Sequence, residues 1–327
     1  MRVMIIGLLA ALFFASTFVL NRAMDLAGGS WVWSAALRYF FTLPFLLAIV
    51  AFRRNLRPLL EELTAQPAAW IIWSTVGFGL FYAPLCFAAA YGPAWMAAGT
   101  WQITIVAGSL LVPLFYHQAE PGAGGKPGRQ KIPARELLIS AFILLGVVFI
   151  QTRDTAGLEP AAMLAGVLPV VIAAFAYPLG NRKMMVVCAG RLDVFQRVLG
   201  MTIASLPFWL VLSLYGAATA GPPAPDQLAQ TLLVAVLSGI IATVLFFYAT
   251  DKAQGDPRKL AIIEATQAGE VVFTVIGEVL FLAGAVPSGW PLAGIVIIVT
   301  GMILHSLNLK PAEKTAAYPE NSGSYQG

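Results

Sequence analysis

Residues 260–282 read LAIIEATQAGEVVFTVIGEVLFL. At about 1.5 Å per residue this run is long enough to cross a bilayer core about 30 Å thick, and its apolar character predicts that it does. It nevertheless carries Glu264, Glu270 and Glu278. Counted from Leu260, Glu270 falls about 15 Å in, near the midplane. A charge there costs at least about 2.5–3.5 kcal/mol, so an acid in that position points to function. At about 100° per residue, Glu264, Gln267, Thr274 and Glu278 share an arc of about 80°, flanked by Glu270 at about 40°. The spacing predicts one continuous polar face turned toward a water-accessible cavity.

The remainder of the chain supplies nine more such segments. Of its 327 residues 59% are hydrophobic and 11% charged, and the mean hydropathy is +0.79. This is the composition of a polytopic membrane protein. Segments of spanning length lie at roughly 3–20, 31–52, 68–90, 93–116, 134–151, 161–180, 194–216, 227–249, 260–284 and 289–309. The first is read as a span and not as a cleaved leader, because it runs into Asn21 and Arg22 instead of a small-residue cleavage site.

Charge placement tests the count. With the N-terminus inside, sixteen of the 20 Lys and Arg fall at inner positions, only Arg22 and Arg153 in outer loops, and Arg38 and Arg197 within spans. That asymmetry predicts a protein integral to the cytoplasmic (inner) membrane with both termini cytoplasmic. Basic inner loops meet anionic membrane lipids, and no basic stripe with interleaved aromatics suggests nucleic acid. Trp31, Trp95 and Trp290 on one side and Trp70 and Trp73 on the other read as interfacial anchors. Arg197, at the edge of its span, reads as snorkelling. Cys86 and Cys188 suggest no disulfide framework.

The two halves echo each other. Asn21-Arg22 returns as Asn181-Arg182, Leu43-Pro44-Phe45 as Leu206-Pro207-Phe208, and Phe81-Tyr82 as Phe247-Tyr248. An odd number of spans per half inverts the second half, so the predicted fold class is an all-α integral membrane protein of ten transmembrane helices in two inverted five-helix repeats. The expected boundaries are 1–152, 153–309 and a disordered cytoplasmic tail at 310–327, with a Gly- and Pro-rich linker at 117–133.

Candidate site residues follow from burial of polar groups. Glu270 leads, with Glu264, Gln267 and Glu278 on the same helix. Arg38, about 10 Å deep, is expected to pair with one of the acids or to hold an anionic substrate group. Asn21, Ser16 and Thr17, Trp101 and Gln102, Tyr177 and Asn181, Tyr82 and Tyr248 are candidates to line a path. His117 and His305 have no metal-ligand companions, and no phosphate-binding loop or nucleophilic triad is present, so no metal, no cofactor and no enzyme activity is expected.

The chain resembles the ten-helix drug/metabolite transporter superfamily, and within it the EamA-like multidrug resistance efflux transporters. The residues that carry the likeness are Ala15-Ser16-Thr17-Phe18-Val19, Ala35-Ala36-Leu37-Arg38-Tyr39-Phe40, Tyr91-Gly92-Pro93-Ala94 and Ala268-Gly269-Glu270-Val271-Val272-Phe273. Two features limit the likeness: Gly284 is followed by Ala285 where many members carry Gly-Glu, although Gly277-Glu278 occurs a turn or two earlier, and the first span lacks the glutamate that the distantly related four-helix small multidrug resistance proteins use for proton and cation exchange. The resemblance implies a central cavity and alternating-access movement of a small metabolite or drug.

Taken with the buried acid, the expected function is proton-coupled efflux of small cationic or amphiphilic molecules, by a monomer or homodimer. An exchanger or uniporter for an anionic metabolite anchored on Arg38 is the alternative transporter. A non-transporting receptor or accessory subunit is the alternative from another class.

Overall fold

The computed structural model describes residues 2–115, 134–151, 160–253 and 256–307. The linker expected at 117–133, the boundary at 152/153 and the tail at 310–327 lie outside the described residues, as does Arg153. Every regular element among the described residues is helical: α1 (Arg2–Leu26), α2 (Trp31–Phe52), α3 (Leu56–Ala65), α4 (Pro67–Ser74), α5 (Leu80–Ala88), α6 (Ala94–Trp101), α7 (Ile103–Leu110), α8 (Ala134–Gln151), α9 (Pro160–Cys188), α10 (Val194–Thr219), α11 (Pro225–Val234), α12 (Thr243–Asp251), α13 (Pro257–Ala265), α14 (Gly269–Phe281) and α15 (Trp290–Leu307).

Seven helical runs among these residues are long and apolar enough to cross a membrane: Val3–Leu26, Trp31–Phe52, Pro67–Tyr91, Leu164–Cys188, Val194–Thr219, Pro225–Asp251 and Ile262–Leu282. The three other expected segments take different forms. The segment expected at 93–116 holds α6 and α7, separated by a turn at Gln102. The segments at 134–151 and 289–309 hold the shorter apolar stretches Leu138–Ile150 and Trp290–Gly301. Large apolar side chains such as Phe52, Leu138, Leu214 and Phe281 are 72–91% exposed. In water such a surface is a liability, whereas in lipid it is the expected exterior.

Two helices outrun their expected ends because their polar residues find partners inside the bundle. Asn21 of α1 donates to the Tyr82 hydroxyl at 3.3 Å, and Arg22 pairs with Asp25 at 2.8 Å, so the helix continues to Leu26. It stops where Gly28 takes φ 80°, with Gly29 N–H returned to the Met24 carbonyl at 2.8 Å. Asn181 likewise donates to the Thr250 hydroxyl at 3.3 Å, and α9 runs on to Cys188. At the start of α10 the Asp193 side chain accepts from Gln196 N–H while the Gln196 side chain accepts from Asp193 N–H, a reciprocal cap.

Interruptions in the long spans are paired along the chain. A π-helical segment, Thr75–Gly79, joins α4 to α5, and another, Ala235–Ala242, joins α11 to α12. The turn at Gln102 separates α6 from α7, and a 3₁₀ segment, Thr266–Ala268, separates α13 from α14. Glycine allows one of these regions to pack against its neighbour: a Cβ at Gly180 of α9 would stand 2.2 Å from the Gly77 Cα. α8 and α15 meet in the same way, since a Cβ at Gly294 would stand 2.4 Å from the Gly146 carbonyl oxygen.

Two tryptophans expected at the interface are buried instead. Trp70 is 0% exposed and its ring fills the space over Gly200, while Trp95 is 7% exposed against the protein interior. Trp290, at 61% exposed, keeps the surface position predicted for it.

Candidate functional site

The polar helix predicted at 260–282 is not one uniform helix. α13 gives way to the 3₁₀ turn at Thr266–Ala268, and α14 follows. A 3₁₀ residue advances about 120° instead of about 100°, so three of them add about 60° to the phase. The single polar face is thereby split, and the three acids enter three separate environments.

Glu264 is in an ion pair. Arg182 Nη2 reaches its two carboxylate oxygens at 2.7 and 2.8 Å, and Arg182 Nη1 donates to the Gly108 carbonyl at 2.5 Å. Both side chains are 6% exposed, and a Cβ at Gly108 would stand 2.0 Å from Glu264 Oε2, so glycine alone fits there. Arg182, one of the sixteen basic residues that the sequence puts at inner positions, is a buried member of α9 that ties α7, α9 and α13 together.

Glu278 serves as a cap. Its carboxylate accepts from the Ala94 and Trp95 N–H groups at 3.2 and 3.0 Å. These are the first amides of α6, where free donors and the helix dipole favour a negative charge.

Glu270, 1% exposed, faces a small, tightly packed pocket. α1 contributes Phe14, Thr17 and Phe18 to it, α5 contributes Phe81 and Leu85, α6 contributes Trp101, α9 contributes Tyr177, and the interrupted helix contributes Gln267 and Glu270. The ring centroids of Phe81 and Tyr177 lie 4.6 Å apart, those of Phe81 and Trp101 5.2 Å, and those of Trp101 and Tyr177 5.8 Å. These spacings make a continuous aromatic wall. Glu270 Oε1, Gln267 Nε2 and the Tyr177 hydroxyl have no hydrogen-bond partner among the described residues. An acceptor, a donor and a hydroxyl left unmatched in one apolar pocket make it the candidate ligand site. A carboxyl held this way is accommodated most cheaply when a proton or a cation neutralises it, and the surrounding π faces also attract cations.

The expected pairing of Arg38 with an acid is not found. Arg38 is 2% exposed on α2, its Nη2 donates to Ser238 Oγ at 3.0 Å, and its guanidinium carbon lies 4.0 Å from the Tyr82 ring centroid. No carboxylate is in ion-pair distance among the described residues, because each acid of the interrupted helix has been drawn to another environment. Arg197 does not snorkel: it is 4% exposed and makes an ion pair with Asp251 beneath the Phe247 ring.

The softer candidates divide. Trp101 and Tyr177 line the pocket, and Thr17 joins them. Asn21 and Tyr82 bond to each other beside it, with Asn21 also donating to Cys86 Sγ at 3.3 Å. Gln102 is 0% exposed and donates back to the Ala98 carbonyl at 2.9 Å, at the break between α6 and α7. Tyr248 is 42% exposed, with Lys252 over its ring, and does not face the pocket. Phe14, Phe18 and Leu85 were not singled out, since nothing local separates a pocket-facing phenylalanine from the many that pack or face lipid.

Comparison with known proteins agrees with this architecture. A solved structure titled "Crystal structure of protein" superposes with a TM-score of 0.64 at 16% identity, covering 94% of this chain and 96% of that one. The chain is 56% identical over 311 residues to "Uncharacterized protein YjlA" of Bacillus subtilis (strain 168), covering 95% of this chain and 96% of the relative. It is 51% identical over 282 residues to "Uncharacterized 42.1 kDa protein in intracellular alkaline protease 3'region" of Shouchella clausii, covering 86% and 73%. Residues 1–310 match the family described as "EmrE: Putative multidrug resistance efflux transporter". With a match over nearly its whole length, this integral membrane protein belongs to the EmrE-like multidrug resistance efflux transporter family.

Proposed function

We propose that the chain is a secondary active transporter that exports small cationic or amphiphilic molecules across the cytoplasmic membrane, coupled to protons through Glu270. The observation that carries this reading is a carboxyl group 1% exposed, inside an aromatic-walled pocket, with one oxygen unpartnered and no cationic side chain lining the pocket among the described residues. Such a group holds a proton or a cationic substrate, but not both, and that exclusion couples the two flows. Enclosure of the pocket by four helices and the interrupted helix suits an occluded intermediate of alternating access.

In this reading the chain crosses the membrane ten times as two inverted five-helix repeats with both termini in the cytoplasm. Support comes from the paired interruptions: the π segments begin at Thr75 and Ala235, and the breaks at Gln102 and at Thr266–Ala268 fall at a closely similar offset. The basic residues supply the orientation.

The test uses tetraphenylphosphonium in proteoliposomes with an imposed pH gradient. The parent chain accumulates the cation against its gradient, Glu270→Asp does so more slowly, and Glu270→Gln, which keeps the shape and removes the ionisable group, does not. Gradient-driven accumulation by Glu270→Gln equal to that of the parent refutes the mechanism.

A further inference from the structure

Two of the embedded arginines are matched by acids: Arg182 by Glu264 and Arg197 by Asp251. Arg38 is not. It is 2% exposed, only Nη2 has a hydrogen-bond partner, and Nε and Nη1 have none among the described residues. A guanidinium cannot shed its charge, so a buried one calls for a counter-charge. The rings of Tyr82, Tyr39 and Phe81, at 4.0, 5.5 and 6.0 Å, cushion its face and leave those N–H groups unanswered.

Ser238, which receives the Nη2 bond, lies in the π-helical segment Ala235–Ala242, and such segments recur at functional sites. The next residue is Gly239, where a Cβ would stand 2.5 Å from Thr42 Oγ1 and 3.5 Å from Arg38 Nε, so glycine there lets Thr42 and the guanidinium pack close against this segment. Ser238 also bonds to Thr17 at 2.5 Å. Thr17 and Phe81 both line the Glu270 pocket, which puts the guanidinium one side chain behind its wall.

The geometry points to a second, anion-binding subsite at Arg38, which takes a compact carboxylate, either free or as the acid end of a transported amphiphile, through its unused N–H groups. With Glu270 on the other side of that wall, it gives the bundle two recognition poles of opposite sign, which a molecule carrying both an ammonium and a carboxylate would match at both ends. The inference goes beyond proton–cation exchange and does not depend on Glu270 being the coupling group.

The test is thermal unfolding of the purified full-length chain in detergent, with sodium acetate or sodium benzoate as probes, benzamide as the neutral control, and ionic strength held with sodium MOPS. Saturating benzoate raises the parent midpoint by about 3 °C. Arg38→Gln loses that shift and Glu270→Gln keeps it. Arg38→Lys needs at least about tenfold more benzoate, because lysine lacks the planar fork. Acetate acting as well as benzoate assigns the site to a free anion, whereas benzoate acting alone assigns it to the acid end of a larger ligand; either outcome supports the subsite.

No benzoate shift in the parent, an equal shift in Arg38→Gln, or an equal shift with benzamide overturns it. Where Arg38→Gln does not fold, an unchanged half-saturating benzoate concentration in Arg38→Lys overturns it as well. Tetraphenylphosphonium in the same assay reports the cation reading separately: a stabilisation that does not require Glu270 counts against that reading and leaves this one standing.

Discussion

Breaking the Arg182–Glu264 pair gives the most quantitative check on how the interrupted helix is anchored. Arg182→Met strands a carboxylate that has lost contacts of 2.7 and 2.8 Å, and also releases the Gly108 carbonyl. Glu264→Gln strands a guanidinium, which cannot neutralise itself as a carboxylate can by taking a proton. Both side chains are 6% exposed, so solvent does little to rescue either. Removing one partner of such a pair costs about 3–5 kcal/mol, or about 6–15 °C of unfolding midpoint at about 2–3 °C per kcal/mol. Glu264→Gln should stand at the high end of that range and Arg182→Met lower. The double variant leaves no buried charge, so its loss is limited to the hydrogen bonds of the replaced pair, about 1–3 kcal/mol in all. The assay is a thermal double-mutant cycle on detergent-purified protein, with a coupling of at least about 2 kcal/mol expected. A double variant whose loss equals the sum of the single losses refutes the reasoning, because the two residues then act independently.

Two further expectations concern residues away from the pocket. Arg191 reaches Glu62 of α3, outside the candidate spans, at 2.5 and 3.0 Å, and its guanidinium holds the Glu62 carboxyl below the usual carboxylate range. A lowered folded value means stability present above the unfolded value of about 4.3 and lost as pH falls through the folded one, so the parent should exceed Glu62→Gln slightly at pH 7 and the gap should close in acid. Reporter fusions after Leu60 should report cytoplasm and fusions after Gly28 and Gly221 the outside; a cytoplasmic signal at Gly28 would dismantle the proposed topology.

Glu270 was legible because an acid in an apolar run violates local expectation so strongly that only a special environment explains it. Glu264 and Glu278 were legible as polar but not as to purpose. Their shared arc assumed an unbroken helix, and the 3₁₀ turn at Thr266–Ala268 re-aimed them toward Arg182 and the first amides of α6. Arg182 was misjudged for a related reason: an Asn-Arg pair at the end of an apolar run has the local signature of an interface, and only the approach of α7 and α13 makes it interior. The expectation that Arg38 would find an acid rested on charge balance alone, which ignores that α6 and α9 had already claimed two of the acids. Tyr248 followed Phe247 in the internal echo, yet neighbouring residues point about 100° apart, and the ring that turned inward is Phe247, 0% exposed.

The pocket separates two tasks by helix. Its bulk comes from rings on α1, α5, α6 and α9, whereas the ionisable carboxyl and its neighbouring amide sit together on the interrupted helix. Ring substitutions at Phe14, Phe18 or Phe81 would alter the size and flatness of an accepted molecule without changing the sign of charge that the carboxyl admits. Under the proposed proton-coupled function, a lineage can therefore drift from one cargo to another through the walls while the energy source stays constant, much as a lock is rekeyed without replacing its bolt.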